Sequence, residues 1–395
     1  MNRTDAMDIE YVHFYVDDAP KWQHWFLKKM GFQPADGWGA IAPIVRPTLA
    51  HTFSEPGVTT RIVAARGVTV VLSSPASHTN QVAAYLNRHP PGVADLAFRV
   101  ADLAASVQQA LAAGAKLHQP IQRCDLNTGW LGWAQVSGWG DLRHTLVEWR
   151  EDASGRAEPL PRLATTCECR EKRVWRSPPV PSSTWVSGID HVVVNVPVGE
   201  LAAAVDWYER ALGFQRQQTF DIRTERSALR SQVLVHAGGR VQLPINEPAS
   251  ARSQIQEFLD VNRGAGVQHI ALQTPDILTA IAHLRQRGVQ FLPVPASYYD
   301  QLQERPGFQL TESQQWAIAQ QQVLVDWRSD QPDALLLQAF TQPIFGEPTC
   351  FFEIIQRQTY AADRTYRQAE GFGEGNFKAL FQAIEREQMK RGSLT

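Results

Sequence analysis

Three side chains of types that bind metals stand in apolar, β-rich runs of the second half of the chain. They are His191 in HVVVNV, His269 in VQHIAL and Glu353 in FFEII. A buried carboxylate without a partner is costly, so Glu353 would either be protonated or face a cation. Two imidazoles and one carboxylate form the facial ligand set of non-haem Fe(II) oxygenases, which leaves coordination positions open. About 80 residues separate successive ligands, so the set lacks the local spacing of a zinc finger or an HExxH helix.

The elements that would carry these residues occur twice along the chain, which marks an internal repeat. A β-rich run, a polar break and an amphipathic helix ending in Gly-Phe occupy residues 11–32 and again 188–214. A strand, an Asp that caps a helix, a helix ending in Gly and a further strand start at Val93 and again at Val267. Each half then closes on an apolar strand with one glutamate, HTLVEW in the first half and CFFEII in the second. The repeat predicts two tandem α+β domains, each of paired βαβββ modules forming an open barrel.

A single histidine within a strand is more often a half-buried, hydrogen-bonded residue than a metal ligand. The repeat favours the metal site, because polar residues recur where apolar ones would pack at lower cost. The equivalents expected in the first half are His13, Asp95 and Glu148. One imidazole and two carboxylates could bind a hard cation, but the simpler interpretation is a structural copy that lost the site. The sequence therefore predicts a non-catalytic first domain and a catalytic second domain.

Length and composition bound the remaining possibilities. The 395 residues exceed one ordinary core, and a Pro-rich, pattern-poor linker at 151–187 would separate domains at 8–150 and 188–395. With 38 basic and 40 acidic residues the net charge is −2, which gives no electrostatic reason for a nucleic-acid or membrane partner. No run of apolar residues reaches the length of a membrane span or a signal-peptide core, so we expect a soluble, cytoplasmic protein.

The four cysteines are too few and too scattered for a disulfide framework. Two of them, Cys167 and Cys169, form a CxC pair in the linker. Such a pair could bind a metal, but an accident of an exposed linker is the favoured interpretation.

Seven motifs of the second half carry a family resemblance. They are GIDHVVVNV, LPINEPA, SQIQEF, GAGVQHIAL, LLLQAF, FFEIIQR and GFGEGNFKALFQAIEREQ, which cover most of residues 188–392. In these motifs the chain resembles the 4-hydroxyphenylpyruvate dioxygenase family of the vicinal oxygen chelate (glyoxalase-like) superfamily. The first half matches mainly in its order of modules. The resemblance implies an Fe(II) bound by His191, His269 and Glu353.

The resemblance also implies a reaction. The family converts 4-hydroxyphenylpyruvate and O2 to homogentisate and CO2, within tyrosine metabolism. Because the substrate is itself a 2-oxo acid, no separate oxoglutarate or nicotinamide is expected. The family further suggests a homo-oligomer, a dimer or a tetramer, that associates through the first half.

Neutral polar residues on the matching motifs are the expected substrate contacts, since they can hydrogen-bond a phenol or a carboxylate without competing for the metal. These residues are Ser231, Asn246, Gln254, Gln268 and Gln338. The alternative role for such residues is capping or loop hydrogen bonding. This alternative carries more weight for Gln254 and Ser231 than for Gln268 and Gln338.

A helix is predicted at about 376–388, with apolar residues at i, i+3, i+4 and i+7. Periodicity alone indicates ordinary core packing, whereas the family resemblance implies a lid over the iron. The resemblance places four phenylalanines near the substrate ring: Phe340, Phe372, Phe377 and Phe381. Residues 358–370, just before this region, resemble the family only loosely and could alter how the lid docks.

Three alternatives remain open at this stage. A 4-hydroxymandelate synthase would use the same iron and substrates but hydroxylate the benzylic carbon. The run Pro244-Ile245-Asn246 favours the dioxygenase, because the mandelate-forming relatives depart from the family pattern there. A non-catalytic ligand-binding protein of the superfamily would commonly have lost metal ligands, and all three remain here. Extradiol cleavage and glyoxalase-type isomerisation share the fold but give no reason for the lid or for the LPINEP and SQIQEF motifs.

Overall fold

A computed structural model shows how the chain folds. The structure describes residues 7–35, 56–126, 129–151, 165–166, 185–224, 227–238, 241–362 and 365–392. Cys167, Cys169 and most of the predicted linker lie outside the described residues. Cys124, a buried residue of the first domain, is disulfide-bonded, whereas Cys350 is a free thiol.

The first domain is built on one sheet of nine strands in the order β2-β3-β4-β1-β5-β8-β7-β6-β9. The strands are β1 (Asp8–Tyr15), β2 (Gln33–Pro34), β3 (Val58–Ala65), β4 (Val68–Pro75), β5 (Gly92–Arg99), β6 (Leu117–Leu126), β7 (Gly129–Ser137), β8 (Arg143–Glu151) and β9 (Thr165–Thr166). The first strands of the two modules, β1 and β5, pair antiparallel at the centre of the sheet. Each of them pairs on its other side with a parallel strand of its own module.

The second domain repeats this topology in a sheet of eight strands, ordered β11-β12-β13-β10-β14-β17-β16-β15. The strands are β10 (Gly188–Asn195), β11 (Phe214–Arg223), β12 (Ala228–His236), β13 (Gln242–Pro248), β14 (Gly266–Gln273), β15 (Leu324–Arg328), β16 (Gln331–Phe340) and β17 (Phe351–Arg357). A separate hairpin, β18 (Thr359–Ala362) and β19 (Thr365–Gln368), follows it. Two paired-module domains, each with one curled sheet, confirm the predicted fold class.

Nine α-helices complete the described part of the chain. They are α1 (Ala19–Trp25), α2 (Gln81–Leu86), α3 (Leu103–Ala112), α4 (Leu201–Leu212), α5 (Gln254–Asn262), α6 (Ile277–Gln286), α7 (Ala296–Leu302), α8 (Glu312–Gln320) and α9 (Phe377–Arg391). The caps expected at Asp102 and Asp276 are present, since each carboxylate accepts a hydrogen bond from a backbone N–H three residues later. In the part of the chain that the structure describes, no helix is both long and apolar enough to cross a membrane.

The strand expected just after α6 does not form. Only Phe291 makes an isolated bridge, to Thr341, and α7 and α8 precede the next strand. Pro293 and Pro295 follow Phe291 closely, and a proline cannot donate a hydrogen bond to a β ladder. The prediction was therefore wrong at this position, because prolines outweigh a short apolar run.

The two domains share one hydrophobic core. Aromatic rings of the first domain meet rings of the second, with centroids 5.8 Å apart for Phe14 and Phe345 and 6.1 Å apart for Phe98 and Phe214. His144 lies in this interface with no exposed surface. Its Nδ1 donates to the carbonyl of Leu96, and its Nε2 accepts from the hydroxyl of Tyr208 in the second domain, both at 3.0 Å. His144 is therefore held as a neutral imidazole with the proton on Nδ1.

Acid should weaken this interface through His144. Burial lowers the pKa of His144 to about 4 from 6.5, so between these values the unfolded chain binds a proton that the folded chain does not. The contribution of neutral His144 to the free energy of unfolding is therefore complete above pH 6.5. As the pH falls towards 4 this contribution is lost, which lowers the free energy of unfolding by about 3 kcal/mol. We expect His144→Gln to reduce the difference in unfolding free energy between pH 7 and pH 4, measured by urea denaturation. The exposed His24→Gln is the control, and equal pH dependence in both variants would contradict the assignment.

Candidate metal centre

The strand register brings the three predicted ligands together. The antiparallel β10–β14 pair sets His191 opposite Ala271 and Val193 opposite His269. The parallel β14–β17 pair sets Ala271 beside Glu353. Residues paired across neighbouring strands point to the same face of a sheet. All three ligands therefore share the concave face of the second sheet.

Their ligand atoms converge on one point. Glu353 Oε2 lies 3.3 Å from His191 Nε2 and 3.5 Å from His269 Nε2. The three ligand atoms all lie within 4.8 Å of one another, and the three residues are buried. Among the described residues no other group of three His, Cys, Asp or Glu side chains is close enough to share a metal.

Neighbouring side chains hold both imidazoles in the orientation that a metal requires. His191 Nδ1 lies 2.9 Å from Asp190 Oδ1, and His269 Nδ1 lies 3.0 Å from Gln268 Oε1. Because both oxygens are acceptors, each Nδ1 carries the proton and each Nε2 faces Glu353. The donor set fits a divalent cation such as Fe(II).

The charges of the three ligands also suit a cation. Burial alone would raise the pKa of Glu353, but the two imidazoles lower it to about 2, so the carboxylate is ionised. Burial alone would lower the pKa of His191, but Glu353 and Asp190 raise it to about 9 in the metal-free protein. A metal would therefore replace a proton that these carboxylates already attract.

Gln338 fixes the second oxygen of the carboxylate. Its Nε2 donates to Glu353 Oε1 at 3.0 Å and to the carbonyl of Phe372 at 3.1 Å. Its own oxygen accepts from Asn376 Nδ2 at 2.9 Å. Gln338 thus connects a predicted metal ligand to the backbone that leads into α9.

A cavity opens directly over the ligands, and all three of them line it. Every residue predicted to contact substrate or to form the lid lines it: Ser231, Asn246, Gln254, Gln268, Gln338, Phe340, Phe372, Phe377 and Phe381. The apolar face of α9 forms one wall, where the family resemblance places it and where periodicity alone indicates only core packing. The lining residues that were not singled out from the sequence include Phe220, Phe351 and Asn376. Phe220 comes from a largely polar, exposed strand, so no clear local pattern marks it.

Some polar atoms around the cavity have no protein partner. Gln254 Oε1 and Asn195 Nδ2 are buried and accept or donate no hydrogen bond within the described structure. Asn246 Nδ2 donates to Asn195 Oδ1 at 3.3 Å. Buried polar atoms without partners are costly, so Gln254 Oε1, on a residue that lines the cavity, favours a polar ligand there.

An ion pair behind His191 was also missed from the sequence. Asp190 forms two hydrogen bonds with Arg357. Successive strand residues ordinarily point to opposite faces, which argues against contact between Asp190 and His191 side chains. A register shift between Ile189 and His191 makes Asp190 the extra residue of a bulge, and bulges of this kind redirect side chains beside active sites.

The first domain does not have the equivalents that the sequence suggested. Its matching register shift falls between Ile9 and Tyr11, so Tyr11 occupies the position of His191. His13 instead corresponds to Val193 and hydrogen-bonds Ser73 Oγ at 2.8 Å. The prediction matched one histidine to another by residue type, whereas the bulge sets the true register.

The carboxylate position is likewise shifted in the first domain. Ala97, the equivalent of Ala271, falls beside Thr145 in the β5–β8 register, so Thr145 replaces Glu353. Glu148 accepts a hydrogen bond from the first N–H of α3, as Gln356 does for α6. Only Asp95 was placed correctly.

A closed polar network occupies this position in the first domain. Thr145 donates to both oxygens of Asp95, through its N–H and its hydroxyl, and Gln135 donates a further hydrogen bond. Tyr11, Leu131 and Trp133 pack into a separate apolar cluster on the same sheet. Side chains therefore fill the first domain at the position where the second domain has a cavity.

Comparison with known proteins identifies the class. A family model described as the glyoxalase/bleomycin resistance protein/dioxygenase superfamily matches residues 188–305, and a second model of that superfamily matches residues 11–128. The protein is a tandem two-domain member of this superfamily.

Individual relatives narrow the class to one family. The chain is 35% identical over 98% of its length to 4-hydroxyphenylpyruvate dioxygenase of Caenorhabditis elegans, of which it covers 93%. It is 35% identical over its whole length to the enzyme of that name from Danio rerio, of which it covers 94%. A solved structure of a mutant 4-hydroxymandelate synthase from Streptomyces coelicolor superposes with a TM-score of 0.73 at 28% identity, covering 97% of this chain and 99% of that one. The chain belongs to the 4-hydroxyphenylpyruvate dioxygenase family.

Proposed function

We propose that this protein is an Fe(II)-dependent 4-hydroxyphenylpyruvate dioxygenase that converts its substrate and O2 to homogentisate and CO2. The observation that carries the proposal is the buried His191, His269 and Glu353 triad at the base of an aromatic cavity. The family supports the same assignment. The helix expected to act as a lid forms part of the cavity wall.

Each wall of the cavity suits one part of the substrate. Fe(II) bound by the triad would supply open positions for the 2-oxo acid and for O2. Phe340, Phe372 and Phe381 offer ring faces and edges to an aromatic substrate. Gln254 and Asn246 offer neutral hydrogen-bonding groups to its hydroxyl. Asp190, Gln268 and Gln338, which hydrogen-bond the triad, orient its side chains. They would take no direct part in the reaction between substrate, O2 and metal.

The lid helix would exclude water from the reaction. Leu380, Phe381 and Ile384 of α9 face the cavity. Glu385, on the same helix, accepts a 2.6 Å hydrogen bond from Ser227 Oγ and holds the helix against the second sheet. An apolar wall would keep bulk water away from the reacting substrate and so limit side reactions with water.

Replacing Gln254 should weaken substrate binding more than catalysis. Gln254 Oε1 is buried without a partner, so we expect it to accept a hydrogen bond from the substrate. The Gln254→Leu variant should raise KM by about 10-fold, the loss of one good hydrogen bond, with kcat changed less. The matched control is Gln256→Leu on the same helix, whose side chain bonds Asp260 at the surface. Steady-state kinetics with both variants check the assignment, and equal KM values would contradict it.

The stoichiometry of gases tests the reaction type. We expect one O2 consumed and one CO2 released per 4-hydroxyphenylpyruvate, with no requirement for added 2-oxoglutarate. A non-catalytic binding protein would bind the keto acid and consume no O2. Association into a dimer or tetramer through the first domain, and a cytoplasmic location, remain proposals drawn from the family.

A further inference from the structure

Arg357 joins the metal centre to the backbone that leads into the lid. Its side chain is 7% exposed. Its Nε and Nη2 donate to the two carboxylate oxygens of Asp190 at 2.7 and 2.8 Å. Its Nη1 donates to the carbonyls of Ala369 and Gly371 at 3.0 and 2.8 Å. One guanidinium therefore binds Asp190 and the backbone of residues 369–371 at the same time.

Asp190 passes this constraint to a metal ligand. Its Oδ1 accepts from His191 Nδ1 at 2.9 Å while both of its oxygens remain bonded to Arg357. A bidentate pair of this kind fixes the plane of the carboxylate. The orientation of the His191 ring is thereby tied to the position of Arg357.

The other side of the triad shows a parallel connection. Gln338 links Glu353 Oε1 to the carbonyl of Phe372 and to Asn376. Asn376 in turn accepts from the hydroxyl of Tyr298 at 2.7 Å. Two of the three ligands are therefore hydrogen-bonded, through one intermediate residue or two, to residues 369–376, which we call the hinge segment.

We propose that Arg357 and Asp190 are positioning residues that couple docking of the hinge segment to metal binding. The proposal rests on the metal site of the proposed function. If the hinge segment moved away, Arg357 would keep a buried guanidinium with two donors unpaired. A bound metal would fix the orientations of His191 and Glu353. Because Asp190 and Arg357 on one side and Gln338 on the other connect these ligands to the hinge segment, metal binding would favour the docked hinge segment. By reciprocity, docking of the hinge raises the affinity for the metal.

The wild-type protein gives the first test. Co(II), which is stable in air, replaces Fe(II), and amide hydrogen exchange is followed by mass spectrometry in the metal-free and Co(II)-loaded protein. We expect Co(II) to slow exchange in the hinge segment. Unchanged exchange in that segment would overturn the coupling without any substitution being made.

Variants then assign the coupling to Arg357. We expect Arg357→Met to raise the Kd for Co(II) by about 10–100-fold, as for other side chains that orient metal ligands, and to remove the effect of Co(II) on hinge exchange. The matched control is Arg391→Met. Arg391 binds the far end of α9 to Glu257 and contacts neither a ligand nor the hinge. Its loss should leave the Kd within about twofold, since a part-exposed ion pair contributes little.

The outcomes separate the coupling from the metal site itself. Arg357→Met leaves the buried carboxylate of Asp190 without a countercharge, which could prevent folding. In that case the double variant Asp190→Leu/Arg357→Met is used instead, because it removes both charges together. A wild-type Kd in either folded variant would overturn the coupling. If the wild-type protein binds no Co(II), the proposed function itself fails, and the coupling fails with it.

Discussion

Replacing Glu353 with alanine should abolish iron binding and turnover together. The carboxylate lies within 3.5 Å of both imidazole nitrogens, so its loss removes the charge and one of three ligand atoms. Mutation of residues that merely orient metal ligands alters the affinity for the metal by about 10–100-fold. Because Glu353 is itself a ligand, its loss should lower kcat/KM by more than about 100-fold. Metal content after Fe(II) loading and steady-state turnover are the measurements.

A second buried glutamate of the same sheet provides the control for Glu353. Glu247 on β13 is 3% exposed and accepts hydrogen bonds from the N–H groups of Gly199 and Leu201 at the start of α4. Glu247→Ala should lower stability while the protein still binds one iron per chain. If Glu353→Ala retained iron and activity, the triad would not be the metal site.

Adding one methyl group at Gly373 should have the second largest effect. A Cβ at this position would lie 2.0 Å from Gln338 Oε1, and the backbone φ of +77° favours glycine. Gly373→Ala must therefore displace Gln338, which binds Glu353, or undock the hinge segment. Because a misplacement of 1 Å near a reaction centre can cost about 100-fold, we expect kcat/KM to fall by about that factor.

The matched control for this variant lies at the other end of α9. Gly392 has the same φ of +77°, but a Cβ there would meet nothing within 4 Å. Gly392→Ala should therefore incur only the backbone cost of about 1 kcal/mol and leave kcat/KM unchanged. Equal kinetics of the two variants would show that the contact between Gly373 and Gln338 has no part in catalysis.

Much of this architecture could be predicted because the sequence repeats. The alternating strands around His191 and His269 and the capped helices after Asp102 and Asp276 are local patterns, so local rules predict them. The triad could be singled out because polar residues interrupt apolar strands. Its convergence depends on strand register, which the repeat makes plausible and the structure defines.

Register itself was the step that local rules could not provide. A bulge adds one residue to a strand and changes which side chains share a face, and sequence alone gives no sign of the bulges at Asp190 and Glu10. For that reason Arg357 was not connected with Asp190. His13 was matched wrongly to His191 because the two were aligned by residue type, two residues away from the register of the strands. Contacts between distant segments, such as that of Phe220 with Phe377 of α9, depend on tertiary packing and leave no periodic signal.

The identity of the product tests the central claim most directly. The iron-loaded protein is incubated with 4-hydroxyphenylpyruvate and O2, and the product is separated and identified by mass spectrometry against both standards, because the two isomeric products differ in retention and fragmentation. The proposed function predicts homogentisate. Formation of 4-hydroxymandelate would instead assign the protein to the benzylic hydroxylation carried out by 4-hydroxymandelate synthases, and binding of the keto acid without any product would contradict an enzymatic role.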